Sequence, residues 1–91
     1  MNQKILVEAR TRNEERLPSK LVKRLAEGDN PVKVWRRHRK LTLQALSAET
    51  SLAVGYLSDI ENGKRAGTVA TLRTIAAALE VDVDSLTAWL D

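Results

Sequence analysis

A chain of 91 residues and 10.1 kDa has room for one domain and a short terminal arm. Apolar residues at 43%, charged residues at 30% and the absence of cysteine describe a globular protein of a reducing cytoplasm. They exclude disulfide scaffolds, thiolate zinc sites and cysteine nucleophiles. The net charge of +3 divides unevenly: residues 1–40 hold 12 Lys+Arg against 5 Asp+Glu, and residues 41–91 hold 3 against 7. The front half is therefore basic enough to meet an anionic partner such as nucleic acid. One histidine is too few for a multi-histidine metal site, and no cofactor is implied. No apolar run approaches the roughly 18 residues of a membrane span, and no charged-then-apolar leader opens the chain.

With no Phe, two Trp and one Tyr, the core falls to Leu, Val, Ile and Ala, which favours small helices over a sandwich of strands. Apolar residues recur at helical spacing almost throughout. Over Met1 to Arg16, Ile5, Leu6 and Ala9 can line a helix, Lys4 to Val7 can pair as a strand, and dense charge from Arg10 onward allows a mobile arm. Leu17-Pro18 breaks any such helix. Ser19 then caps a short helix with Leu21, Val22 and Leu25 on one face, ended by Gly28. Asp29 or Asn30 ahead of Pro31 starts a helix that carries Val32, Val34 and Trp35 inward as far as Arg39. Thr42 caps the next, with Leu43, Leu46 and Thr50 inward.

After a break at Ser51 to Ala53, Val54 to Asn62 forms a helix around Leu57 and Ile60, and Gly63 stops it. Thr68 caps Val69 to Glu80, striped by Leu72, Ile75, Ala76 and Leu79. The corner Val81 to Asp84 leads to a last short helix, capped by Asp84 or Ser85 and bearing Leu86, Trp89 and Leu90. The expected fold is all-α: a five-helix bundle over residues 29–91, preceded by a helical or flexible extension over residues 1–28.

The pair of helices from Thr42 to Asn62 carries the functional signal. A steep crossing after a three-residue turn needs a small residue at closest approach, here Ser47 or Ala48. It also needs apolar residues facing a shared core, here Leu46, Leu52, Leu57 and Ile60. These are helix-turn-helix requirements, and such motifs lay the exposed face of the second helix in the DNA major groove.

The run LTLQALSAETSLAVGYLSDIENGKRAGTVATLRTIAAALEVDVDSL resembles the helix-turn-helix domain of the Cro/C1 repressor type, the Xre family. The likeness extends from about Val32 to Leu90 and is most specific at YLSDIENGKR. It implies a five-helix Cro/C1-type bundle, a homodimer on a palindromic double-stranded DNA operator, and transcriptional repression in a bacterial cytoplasm. The upstream segment LPSKLVKRLAEGDNPVKVWRRHRKLT looks like the lead-in of HigA-like antitoxins, which implies a RelE/HigB-type toxin as partner, bound through the N-terminal extension. The family resemblance also implies a structural ion pair of Arg36 with Glu61.

Helix starts expose unpaired N–H groups and attract phosphate. The starts at Thr42 and Ala53 are therefore expected to clamp the DNA backbone, with Thr42 and Gln44 adding side-chain bonds. Lys64 and Arg65 are placed to meet a flanking phosphate, and Asn62, besides stopping its helix, can touch one. Val54, Gly55, Ser58 and Asp59 approach base edges, and Tyr56 a phosphate or sugar.

Against the family pattern, Leu43 and Val54 stand where glutamines are common. Ser51 replaces the turn glycine, at about 1 kcal/mol if left-handed, and Ala53 replaces a capping serine at about the same cost. Val and Gly make no bidentate base contacts, although Val can pack on a thymine methyl. Arg36, Arg37, Arg39 and Lys40 form a basic run, either set against an anion or solvated. Trp35 is a core residue and His38 a packing residue, while Leu86, Trp89 and Leu90 belong to the core or to a dimer seam.

Catalysis has no support in the pattern. Gly63-Lys64 is not a phosphate loop, because Arg65 stands where Ser or Thr is needed and Ser58 where Gly is needed. The carboxylates show no paired placement with a nucleophile or base. Two other readings stand beside the antitoxin-repressor: a phage-type or restriction-control regulator without a toxin partner, and a protein-interaction module with a degenerate helix-turn-helix, favoured by the apolar Ala53-Val54-Gly55.

Overall fold

A computed structural model describes residues 18–90; the expectations for Met1 to Arg16 lie outside them. Six helices and no strand are found among the described residues: α1 (Ser19–Ala26), α2 (Pro31–His38), α3 (Leu43–Thr50), α4 (Val54–Glu61), α5 (Val69–Ala78) and α6 (Asp84–Thr87).

Three helix starts are made by side chains that accept from the first turn. Asn30 Oδ1 accepts from the Lys33 amide at 3.2 Å, Thr42 Oγ1 from Ala45 at 3.0 Å and Thr68 Oγ1 from Thr71 at 3.0 Å. Each satisfies a donor that the helix itself leaves unpaired. Two expected caps are corrected. Pro18, not Ser19, precedes α1, because the Pro18 carbonyl already accepts from Leu21 and Val22 at 2.9 and 3.2 Å and draws Ser19 into the first turn. Neither Asp84 nor Ser85 caps α6, because Val83 is itself helical and the preceding turn winds straight into the helix.

Helix ends are closed in the left-handed conformation, three times without glycine. Lys40, Ser51 and Glu80 have φ of 60°, 62° and 60°. At Glu80 the turn brings its amide to the Ala77 carbonyl and that of Val81 to Ala76, at 3.1 and 3.0 Å. The helix therefore stops at Ala78, two residues short of the expected Glu80. Ser51, in the turn of the motif, accepts the left-handed cost because Thr50 braces the same turn. The buried Thr50 hydroxyl donates to the Leu46 carbonyl at 2.7 Å and accepts from the Leu52 amide at 3.2 Å.

The main core joins Val32 and Trp35 of α2, Leu46 of α3, Leu57 and Ile60 of α4, Leu72, Ile75 and Ala76 of α5, Leu79, and Leu86 of α6. A second, small cluster sets Leu21 and Leu25 of α1 against Val34 of α2. Val22 is not part of it and is 38% exposed: Leu21 and Leu25 sit one turn apart on the narrow strip that α1 buries, and Val22 is turned about 100° away. At the α3–α4 crossing the small residue is Ser47, whose hydroxyl donates to the Leu52 carbonyl; Ala48 is exposed. The bundle thus grips α4 along one side only.

Candidate functional site

Leu57, Ile60 and Glu61 are the buried residues of α4. At 100° per residue, this puts Gly55, Asp59 and Asn62 on the opposite side, with Val54 and Ser58 on one flank and Tyr56 on the other. Ala53 and Gly55 are exposed, and Val54, Tyr56, Ser58 and Asp59 are half-buried. Thr42 and Gln44 are exposed at the start of α3, as are Asn62, Lys64 and Arg65 at the exit of α4. Ala53 supplies no side-chain cap to α4, so the first amides of that helix lack a side-chain acceptor and keep their attraction for an anion.

The exit loop folds back on α4. The amides of Lys64 and Arg65 both donate to the Asp59 carbonyl, at 2.8 and 3.2 Å. This brings the Arg65 guanidinium to Asp59 Oδ2 at 3.3 Å and to 5.7 Å from the Tyr56 ring centroid. Two residues assigned separately to base and phosphate therefore form one exposed ion pair. The pair cancels the repulsion that a lone Asp59 would exert on a phosphate, and it leaves Lys64 as the cation of the loop without a carboxylate partner among the described residues. Asn62 Nδ2 donates to Ser58 Oγ at 3.3 Å. The Tyr56 hydroxyl lies 3.4 Å from Thr71 Oγ1, a contact that turns it toward α5.

Behind this face, Arg36 grips Glu61 through two nitrogens, Nε to Oε2 at 2.6 Å and Nη2 to Oε1 at 3.0 Å, while its Nη1 donates to the Leu41 carbonyl at 2.8 Å. Asn30, besides capping α2, donates to the Ile60 carbonyl at 2.9 Å. The last turn of α4 is thus held by α2 from two directions. Gly67 allows the loop to close, since its φ is +77° and a Cβ there would meet Ile60 Cδ1 at 3.3 Å.

The basic run is split by the fold. Arg36 is in the ion pair, and Arg39 donates to the Leu79 and Glu80 carbonyls at 2.8 and 3.3 Å and lies 5.6 Å from the Trp35 ring centroid. Arg39 therefore caps the end of α5. Only Arg37 and Lys40 of the run are exposed. His38 stands edge-on to Trp35 with centroids 5.7 Å apart. Burial, then the charges of Arg39 and Lys20, hold its imidazole below the usual histidine range.

Leu86 is fully buried in the core of its own chain, so its place in a dimer seam is corrected: the inner side of α6 spends it closing the bundle. Trp89, 37% exposed, remains at the surface, and Leu90 is half-buried with one side packed against the main core. Trp89 lines a cleft of about 460 Å³ together with Asn62, Gly63, Arg24 of α1, and Lys33 and Arg37 of α2. No motif in the sequence marks Arg24 or Lys33. Lys33 and Arg37, four apart, share a side of α2 by spacing alone, whereas the approach of Arg24 depends on how α1 packs. No helix among the described residues is long and apolar enough to cross a membrane.

The helix-turn-helix family model matches residues 32–86, more than half of the chain and the whole stretch from α2 into α6. No curated protein and no solved structure matches.

Proposed function

The chain belongs to the helix-turn-helix family of DNA-binding transcription regulators, and from that premise we propose that it represses transcription by laying the exposed side of α4 in the major groove of an operator duplex. The observation that carries this reading is the one-sided burial of α4 beside an exit loop whose Lys64 has no carboxylate partner among the described residues. In it, the amides at the starts of α3 and α4, with Thr42 and Gln44, clamp phosphates. Val54, Gly55, Ser58 and Asp59 approach the bases, and Tyr56, Asn62, Lys64 and Arg65 track the flanking backbone. The protein binds as a homodimer to a palindromic site, with Trp89 and Leu90 as the apolar surface available for the seam. Lys64→Ala is expected to weaken binding to every duplex alike and to lower the log–log salt slope by about one. Mobility-shift titrations across a salt series test this, and a loss confined to particular base pairs would place α4 differently in the groove.

The same proposal assigns residues 29–91 to DNA and residues 1–28 to a protein partner, a RelE/HigB-type toxin whose operon the protein represses. Its support is α1, which lies outside the family-matched span and packs on α2 through Leu21, Leu25 and Val34, together with the antitoxin-like lead-in. Co-expression with the product of the neighbouring small reading frame is expected to yield a complex that is lost when residues 1–16 are removed while promoter binding persists. Persistence of the complex without those residues would move the toxin contact to α1 or the bundle, and no complex at all would favour a regulator without a toxin.

A further inference from the structure

The chemistry that α4 can offer to a base pair is narrow. Its sequence is VGYLSDIE, so it contains no Arg, Lys, Gln or Asn, the side chains that make bidentate contacts to guanine or adenine. Of its accessible polar groups, the Asp59 carboxylate is paired with Arg65, and the Ser58 oxygen accepts from Asn62, which leaves its O–H as a single donor. What remains at the start of the helix is apolar. Ala53 is exposed, and Val54, half-buried, is not among the apolar residues packed on the core.

Gly55 is the second anomaly. It is helical, so no left-handed backbone calls for glycine there, and a Cβ built on it would meet nothing within 4 Å. Glycine is the poorest helix former after proline, and no neighbour in the fold needs the space. A half-buried apolar side chain next to a position that carries none leaves the helix backbone open beside it, which suits a small apolar group approaching from outside. The only apolar group on the major-groove edge of a base pair is the 5-methyl of thymine.

We propose that the first turn of α4 recognises thymine by its methyl group, with Val54 as the contacting side chain and Gly55 as the gap that admits the base edge. This rests on the major-groove docking of α4 proposed above. Specificity then falls on T·A pairs, without a bidentate guanine contact from α4.

The test uses the full chain and a duplex selected from a random-core pool. Each thymine of the selected site is replaced singly by uracil, which removes the methyl alone. At one or two positions per half-site uracil is expected to weaken binding about fourfold, and 5-bromouracil, whose bromine has the size of the methyl, restores it. Val54→Ser abolishes the distinction between thymine and uracil at those positions. Gly55→Ala leaves the helical circular dichroism intact while weakening binding to the selected duplex. If every uracil-substituted duplex binds the unaltered protein as tightly as its parent, the inference is overturned while groove docking stands. Equal uracil sensitivity in Val54→Ser overturns the assignment to Val54. If no duplex is enriched at all, the docking of α4 fails and the inference with it.

Discussion

Arg36→Ala lowers the free energy of unfolding by about 3 kcal/mol or more, the size expected when one member of a buried ion pair is removed. The Glu61 side chain is 4% exposed and that of Arg36 12%, so neither charge is well hydrated in the folded state. Truncating Arg36 leaves the Glu61 carboxylate buried without its two guanidinium donors and frees the Leu41 carbonyl as well. The attraction itself is not the main quantity, because taking both charges out of water costs nearly as much as their pairing returns. The penalty comes from the orphaned charge. Replacing both residues by apolar ones, Arg36→Met with Glu61→Leu, is therefore expected to recover most of the loss. For a domain of this size each kcal/mol corresponds to roughly 4–8 °C in Tm, so thermal and urea denaturation followed by circular dichroism will register the single substitution easily. A loss below about 1 kcal/mol would mean that the pair behaves like a solvated surface bridge.

Leu57→Ala is expected to cost about 2–5 kcal/mol, the range for deleting a leucine from a close-packed interior that only partly collapses around the cavity. Leu57 is fully buried, on the inward side of α4, within the cluster that also holds Leu46, Ile60 and Ile75. With Ile60 and Glu61 it anchors the presented helix to the rest of the bundle. A total stability of roughly 5–15 kcal/mol leaves this variant folded at low temperature but near its margin when warmed. The urea midpoint should fall with an unchanged slope. DNA binding measured well below the midpoint should remain close to normal, because the outward side chains are untouched, and should disappear together with the helical signal on heating. A binding defect that precedes unfolding would show that Leu57 positions the interface and does not merely stabilise it.

Much of this organisation is legible in the amino-acid order because it is local. The starts of α2, α3 and α5 follow from Asn30, Thr42 and Thr68, each a side chain reaching an amide three residues away. The buried stripes of α4 and α5 follow from three-and-four spacing, which also identifies the side of α4 left outside. Local reasoning goes wrong where a neighbour outbids it. Ser19 has the chemistry of a cap, but the Pro18 carbonyl begins the helix one residue earlier. Val22 has the chemistry of a core residue, but the strip that α1 buries against Val34 of α2, Leu21 and Leu25, is too narrow to include it.

What the order of residues determined by itself is the set of helices, most of the side chains that fill the core, and the apolar, glycine-containing start of α4. Tertiary structure alone decided which of the other charges are available. Arg39 is withdrawn to the end of α5, Arg65 is paired with Asp59, and Leu86 is committed to the interior, whereas the pairing of Arg36 with Glu61 is the one the family resemblance implies. The physical reason is range. Helix formation and capping act over three or four residues, whereas Arg36 and Arg39 reach partners 25 and 40 positions along the chain, whose proximity exists only once the bundle has closed.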